Sequence, residues 1–140
     1  MTETLPQQKA RPIPAISDIK DIVAMARKVS VSDLTGPSRL RPIAHARQEA
    51  MALARELRRD SLPMIGREFG GRDHTTVMHG LRAVSKRRNQ SLEHDEAFRA
   101  MRASLSDLSE ARRVIIANTR GTIKGRIHMG LSRSLTVLWT

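Results

Sequence analysis

Gly70-Gly71-Arg72-Asp73-His74-Thr75-Thr76 holds, in one short run, the side chains best suited to reading another molecule. The two glycines take up positive φ without steric cost, so they break a helix and turn the chain. Asp73 is a good N-cap for the helix that follows. Val77, Leu81 and Val84 recur at i, i+4, i+7, which buries one face of that helix and leaves His74, Thr75, His79 and Arg82 on another surface. Just upstream, Ser61 can cap a short helix that tolerates Pro63 in its first turn and carries Met64, Ile65 and Phe69 on its apolar side. Two helices joined by a tight glycine turn form a helix-turn-helix, whose second helix presents its N-terminal residues to the DNA major groove. The residue types suit that task. A helix N-terminus offers free N–H groups and positive potential to a phosphate. Threonine supplies a hydroxyl and a methyl, histidine donates or accepts at a base edge, and a carboxylate accepts from a cytosine amino group.

Other helices must hold this pair. Ile19, Ile22, Val23, Ala26 and Val29 follow helical spacing and predict a first helix over about Asp18 to Val29, capped by Ser17 or Asp18. Ser30 to Leu34 reads as a short turn whose Val31 and Leu34 plug the core. Gly36 to Pro42 reads as a loop carrying Arg39 and Arg41, with Pro42 suited to the first turn of the next helix. That helix is expected from about Ile43 to Arg58, with Ile43, Ala46, Ala50, Leu53, Ala54 and Leu57 as its buried stripe. The helix after the turn ends in Lys86-Arg87-Arg88, which opposes the negative end of its dipole. A last packing helix is expected over about His94 to Leu108, from Phe98, Met101, Leu105 and Leu108. The chain thus divides into a disordered leader (1–17), an all-α helix-turn-helix domain (18–108) and a basic, weakly ordered C-terminal extension (109–140).

Composition narrows the function. The formal net charge is +11 and the pI about 11.5, which favours an anionic polymer or surface as partner. Residues 18–108 hold 17 bases and 12 acids, while 109–140 hold six bases and one acid, so about half the excess lies outside the domain. Aromatics are only 2% of the chain, which argues for an aliphatic core and against base-stacking platforms for single strands. There is no cysteine, and His74 and His79 are five apart rather than at the i, i+4 spacing of helical metal ligands, so no metal site is expected. Gly121 to Gly125 lacks the Gly-Lys-Ser/Thr of a phosphate loop, and no nucleophile motif is present, so an enzyme is not expected. No stretch approaches the roughly 20 apolar residues of a membrane span, and no secretory signal opens the chain, which points to a cytoplasmic, nucleoid-associated protein without a cofactor.

Ile65-Gly66, Phe69-Gly70 and Arg72-Asp73-His74-Thr75-Thr76-Val77, with Gly80 after two more residues, resemble the signature of the C-terminal DNA-binding domain of the bacterial replication initiator DnaA family. The likeness reaches upstream through Arg47 to Ala54 and Ser61-Leu62-Pro63, and runs without gaps over about Asp18 to Leu108. It implies a small all-α fold similar to the Trp-repressor-like DNA-binding domain of that family. It also implies double-stranded DNA as the partner. By this resemblance Asp73, His74 and Thr75 meet base edges in the major groove, and Arg39 enters the minor groove from the basic loop. Arg41, Arg47, Gln48, Arg55, Leu62, Pro63, Arg72 and Thr76 contact phosphates. The chain is too short to hold the family's ATPase motor beside this module, so a regulator at replication origins or promoters is expected. Two other readings compete: a protein-interaction module on a retained scaffold, with the replication initiator itself among its partners, and a nonspecific basic DNA binder.

Overall fold

A computed structural model describes residues 13–121, with side chains described through residue 111. Leader residues 1–12 and extension residues 122–140 lie outside the described residues. Six helices and no strand make up the described part: α1 (Ile16–Arg27), α2 (Val31–Thr35), α3 (Arg41–Arg58), α4 (Leu62–Glu68), α5 (His74–Gln90) and α6 (Leu92–Gly121). The all-α architecture expected from periodicity is the one found.

α3 is the central helix and packs against α1, α2, α4 and α5, while α6 closes the fold over α1 and α5. The alanines make this possible. Ala46, Ala50 and Ala54 are fully buried, so neighbouring backbones come close to α3. Gly80 of α5 does the same from the other side, since a Cβ there would sit 3.2 Å from Gln48 Cγ. The core between them is Ile19, Val23, Leu34, Met51, Leu53, Ile65, Val77 and Leu105, joined by Phe69 and Phe98. The core is mainly aliphatic, and both phenylalanines, Phe69 and Phe98, are inside on the apolar faces where helical spacing puts them, each adding roughly 1.5–3 kcal/mol of burial.

Three elements differ from expectation. Residues 31–35 form a helix rather than a turn, because Ser30 and Asp33 make a capping box: Asp33 N–H donates to Ser30 Oγ (3.0 Å) and Ser30 N–H to the Asp33 carboxylate (3.3 Å). α1 begins at Ile16 with Ala15 as its N-cap and no side-chain cap, so neither Ser17 nor Asp18 caps it, and its Ala26 lies outward. α6 runs well past Leu108, with Ser109 buried and its hydroxyl bonded to the Leu105 carbonyl (2.9 Å). No glycine or proline interrupts the helix between Leu92 and its last described residue, Gly121.

The turn that orients α5 rests on two backbone approaches. Arg72 N–H donates to the Gly66 carbonyl (2.8 Å), and a Cβ on Gly66 would fall 2.0 Å from the Arg72 carbonyl oxygen. Gly70 (φ 89°) sits where a Cβ would lie 2.2 Å from the Thr35 carbonyl oxygen, whereas Gly71 (φ 72°) faces open space. Gly66→Ala must move backbone, so it is expected to cost at or above the upper end of the ~1–3 kcal/mol typical of overpacking. Gly71→Ala meets only the left-handed strain, about 1–2 kcal/mol. Urea midpoints check this, and equal midpoints would mean that the turn does not depend on Gly66.

Candidate nucleic-acid interface

α5 starts with its cap. Asp73 accepts from Thr75 N–H (3.3 Å) and from the Thr75 hydroxyl through the same oxygen, and His74 Nδ1 lies 3.1 Å from its other oxygen. The Thr75 hydroxyl bond is the main reason the Asp73 carboxyl is held below its ordinary range. The cap therefore fixes both neighbouring side chains: the Thr75 hydroxyl proton and His74 Nδ1 point back at Asp73, leaving the threonine methyl and His74 Nε2 to face outward. Asp73, His74, Thr75 and Thr76 are all exposed, as are His79 and Arg82 further along α5.

A groove of about 610 Å³ runs beside this helix start, lined by Arg39, Arg47 and Gln48 of the loop and α3, and by Gly70, Arg72 and Thr76 of the turn and α5. It brings together residues more than 30 positions apart that the sequence assigned to one surface. Arg39 and Arg41 are exposed at its rim.

Two arginines hold the groove's shape. Arg47 is only 6% exposed. Its Nε donates to the Leu34 carbonyl (2.8 Å), and its Nη2 to the carbonyls of Asp33 (2.9 Å), Gly36 (3.1 Å) and Ser38 (3.0 Å). Arg72 Nη2 reaches the same Gly36 carbonyl (2.7 Å), and its Nη1 donates to the Phe69 carbonyl. The α2–α3 loop is thus pinned to the helix-turn-helix through one shared acceptor. Sequence reasoning placed Arg47 on an outer face; the structure places it under the loop. A signal for this was available in the loop itself, whose irregular backbone leaves carbonyls that need donors.

Of the other expected contacts, Gln48 lines the groove, and Arg55, Leu62 and Pro63 are not among its lining residues. Gln48 is half-buried, and its Oε1 accepts from Arg87 Nη1 (2.9 Å), a partner that sequence reasoning did not identify. Arg55 is exposed and donates to the Asp60 carbonyl (2.7 Å). Leu62, half-buried, and Pro63, exposed, open α4 beside its Ser61 cap, which accepts from Met64 N–H (3.4 Å). Of the Lys86-Arg87-Arg88 cluster, Arg88 pairs with Asp95 (2.8 Å) and stacks over the Phe98 ring. Among the described residues, no group of three or more acidic or histidine side chains could hold a metal, and no helix is long and apolar enough to cross a membrane.

Residues 16–84 match the family described as bacterial dnaA protein helix-turn-helix. The chain is similar to the chromosomal replication initiator protein DnaA of Psychromonas ingrahamii, at 44% identity over 91 residues, covering 65% of this chain and 20% of the relative. It is likewise similar to the DnaA proteins of Neisseria meningitidis (55% over 75 residues, 54% of this chain, 14% of the relative) and Francisella tularensis subsp. novicida (52% over 82 residues, 57% and 17%). The chain therefore spans a fifth or less of the length of these relatives.

The geometry around Arg47 separates positioning from direct contact. Arg47→Met takes the charged donor from the Leu34, Asp33 and Ser38 carbonyls and leaves Gly36 with Arg72 alone, so it is expected to destabilise the fold by about 1.5–3 kcal/mol. Arg47→Lys should recover little of this, because an ammonium cannot reproduce the planar fork. Arg55→Ala, at an exposed site, should stay within about 0.5 kcal/mol. Denaturation of the three variants tests it, and unchanged stability in Arg47→Met would show that the loop does not rely on this side chain.

Proposed function

We propose that this chain binds double-stranded DNA sequence-specifically, a reading supported by the match of residues 16–84 to the family described as bacterial dnaA protein helix-turn-helix and by the likeness to DnaA relatives. Its sites are A·T-rich boxes of the kind the initiator family binds, and it acts there in regulating replication initiation or transcription. The observation that carries this reading is the juxtaposition of an ordered, exposed α5 N-terminus with the cationic groove between loop and turn.

The roles divide by placement. Asp73, His74 and Thr75 face base edges in the major groove. With its proton held by Asp73, the Thr75 oxygen is left to accept from an exocyclic amino group, and the Thr75 methyl suits a thymine methyl. Arg39, exposed and free on the loop, reads a narrow A·T minor groove by shape and charge. Arg41, Gln48, Arg55, Arg72, Thr76 and the start of α4 at Leu62 and Pro63 hold the phosphates. Arg47 supports them chiefly from beneath the loop. Association with nucleoid DNA in the cytoplasm follows from this activity.

Base contacts carry sequence information, while phosphate contacts mainly position the protein. Thr75→Ala is expected to lower affinity for the preferred box by roughly 1–3 kcal/mol and leave random duplex nearly unchanged. Arg55→Ala should weaken both duplexes alike and reduce the salt slope by about one charge. Arg39→Ala should fall between the two. Titrations on box and random duplex at two salt concentrations distinguish these cases. Equal losses for Thr75→Ala on both duplexes would make the chain a nonspecific basic binder.

A further inference from the structure

His45 lies on α3 between two residues already assigned to phosphates: Arg41, His45 and Gln48 stand at i, i+4 and i+7, one stripe of the helix. The stripe spans about 10.5 Å at 1.5 Å per residue, close to three phosphate-to-phosphate steps of about 3.4 Å axial rise along one strand. It borders the groove, which Ala44 and Gln48 line. His45 itself is half-buried.

The charged groups that act on it are all cationic or titratable to a cation. The groups that act on it are Arg41 from its own helix, Arg87 from α5, His94 from α6 and Arg27 from α1. The nearby carboxylate of Glu49 is taken by Arg27, which grips both its oxygens (2.8 and 2.9 Å). Arg87 is anchored on Gln48 and so keeps its charge beside the stripe. Desolvation and these cations hold the His45 imidazole below the ordinary 6.5. In the free protein it is therefore neutral at physiological pH, in a place where a phosphate would reverse the balance of charge.

We propose that His45 is a further phosphate-contacting residue whose contact is proton-linked: the ring takes up a proton when DNA binds and donates to the backbone between the contacts of Arg41 and Gln48. This rests on the DNA-binding reading above. The sign follows directly. A ring that is neutral when free and charged when bound makes affinity rise as pH falls, tenfold for each unit between its free and bound midpoints. Without DNA the linkage runs the other way. The folded-state midpoint is depressed, so stability is full above about 6.5 and declines as pH falls through the folded midpoint.

The test uses the full 140-residue chain and a duplex carrying the preferred box. NMR titration of the assigned His45 Cε1–H resonance gives its midpoint free and saturated with duplex, and an upward displacement of about one unit is expected. Between pH 8 and 5.5, duplex affinity should rise on the order of three- to tenfold. His45→Gln should lose that part of the pH slope, leaving any contribution of His74 and His79. His45→Arg, whose charge is permanent, should bind at pH 8 as tightly as the parent at pH 5.5. If duplex binds but the His45 midpoint stays in place, or His45→Gln keeps the whole slope, this inference is overturned and the DNA-binding reading stands. If no duplex binds at any pH, both fall.

Discussion

One close backbone approach, Arg72 over Gly66, sets the geometry on which every proposed contact depends. The hydrogen bond from Arg72 N–H to the Gly66 carbonyl closes the turn, and no side chain can be tolerated at Gly66 while it is closed. The direction of α5 relative to α4 follows from that bond, since the cap at Asp73 begins one residue later. Gly70 extends the same constraint to a third element: its bare Cα lets the turn lie against the Thr35 carbonyl at the end of α2. The recognition helix is therefore fixed against both α4 and α2 by backbone, before any side chain is considered.

Side chains then tie the loop to that frame. The Gly36 carbonyl accepts from Arg47 and Arg72 together, so two guanidinium groups converge on one oxygen. Burial disfavours the charge of both, and the Arg72 charge further disfavours that of Arg47. Charge-assisted bonds to six carbonyl acceptances offset this cost. The result is a mechanical link between the loop bearing Arg39 and the turn leading to His74 and Thr75. The proposed reading of both grooves of a duplex needs those two parts at a fixed separation, and a shared carbonyl acceptor holds them there without a carboxylate.

Local features of this architecture were legible in the sequence, and long-range ones were not. The glycine turn, the Asp73 and Ser61 caps and Pro42 at the start of α3 each act within four residues, so residue type and spacing suffice to place them. The Ser30–Asp33 capping box was equally local and would have revealed α2 had the short segment not been taken for a turn. The burial of Arg47 depends instead on carbonyls nine to fourteen residues away, and the Gln48–Arg87 bond on a helix crossing 39 residues apart. Helical periodicity places Arg47 off the apolar stripe, and that much is correct, but periodicity does not say that a loop will fold over it.

The arginines also sort into two kinds by the partner each has found. Arg27, Arg58, Arg88 and Arg102 meet carboxylates, those of Glu49, Asp60, Asp95 and Glu56, and their charge is largely cancelled. Arg47, Arg72 and Arg87 meet neutral oxygens of carbonyls or an amide, which satisfy hydrogen bonds but leave the charge in place. Arg39, Arg41 and Arg82 stand exposed around them. The two acids of this region, Asp33 and Asp73, are occupied as capping groups for α2 and α5. Three arginines, Arg39, Arg47 and Arg72, therefore bring positive charge to one groove. Fields focused in this way attract polyanions from a distance and weaken with salt. The few groups at the start of α5 proposed to read bases carry no net excess of positive charge, and the Asp73 cap holds their side chains.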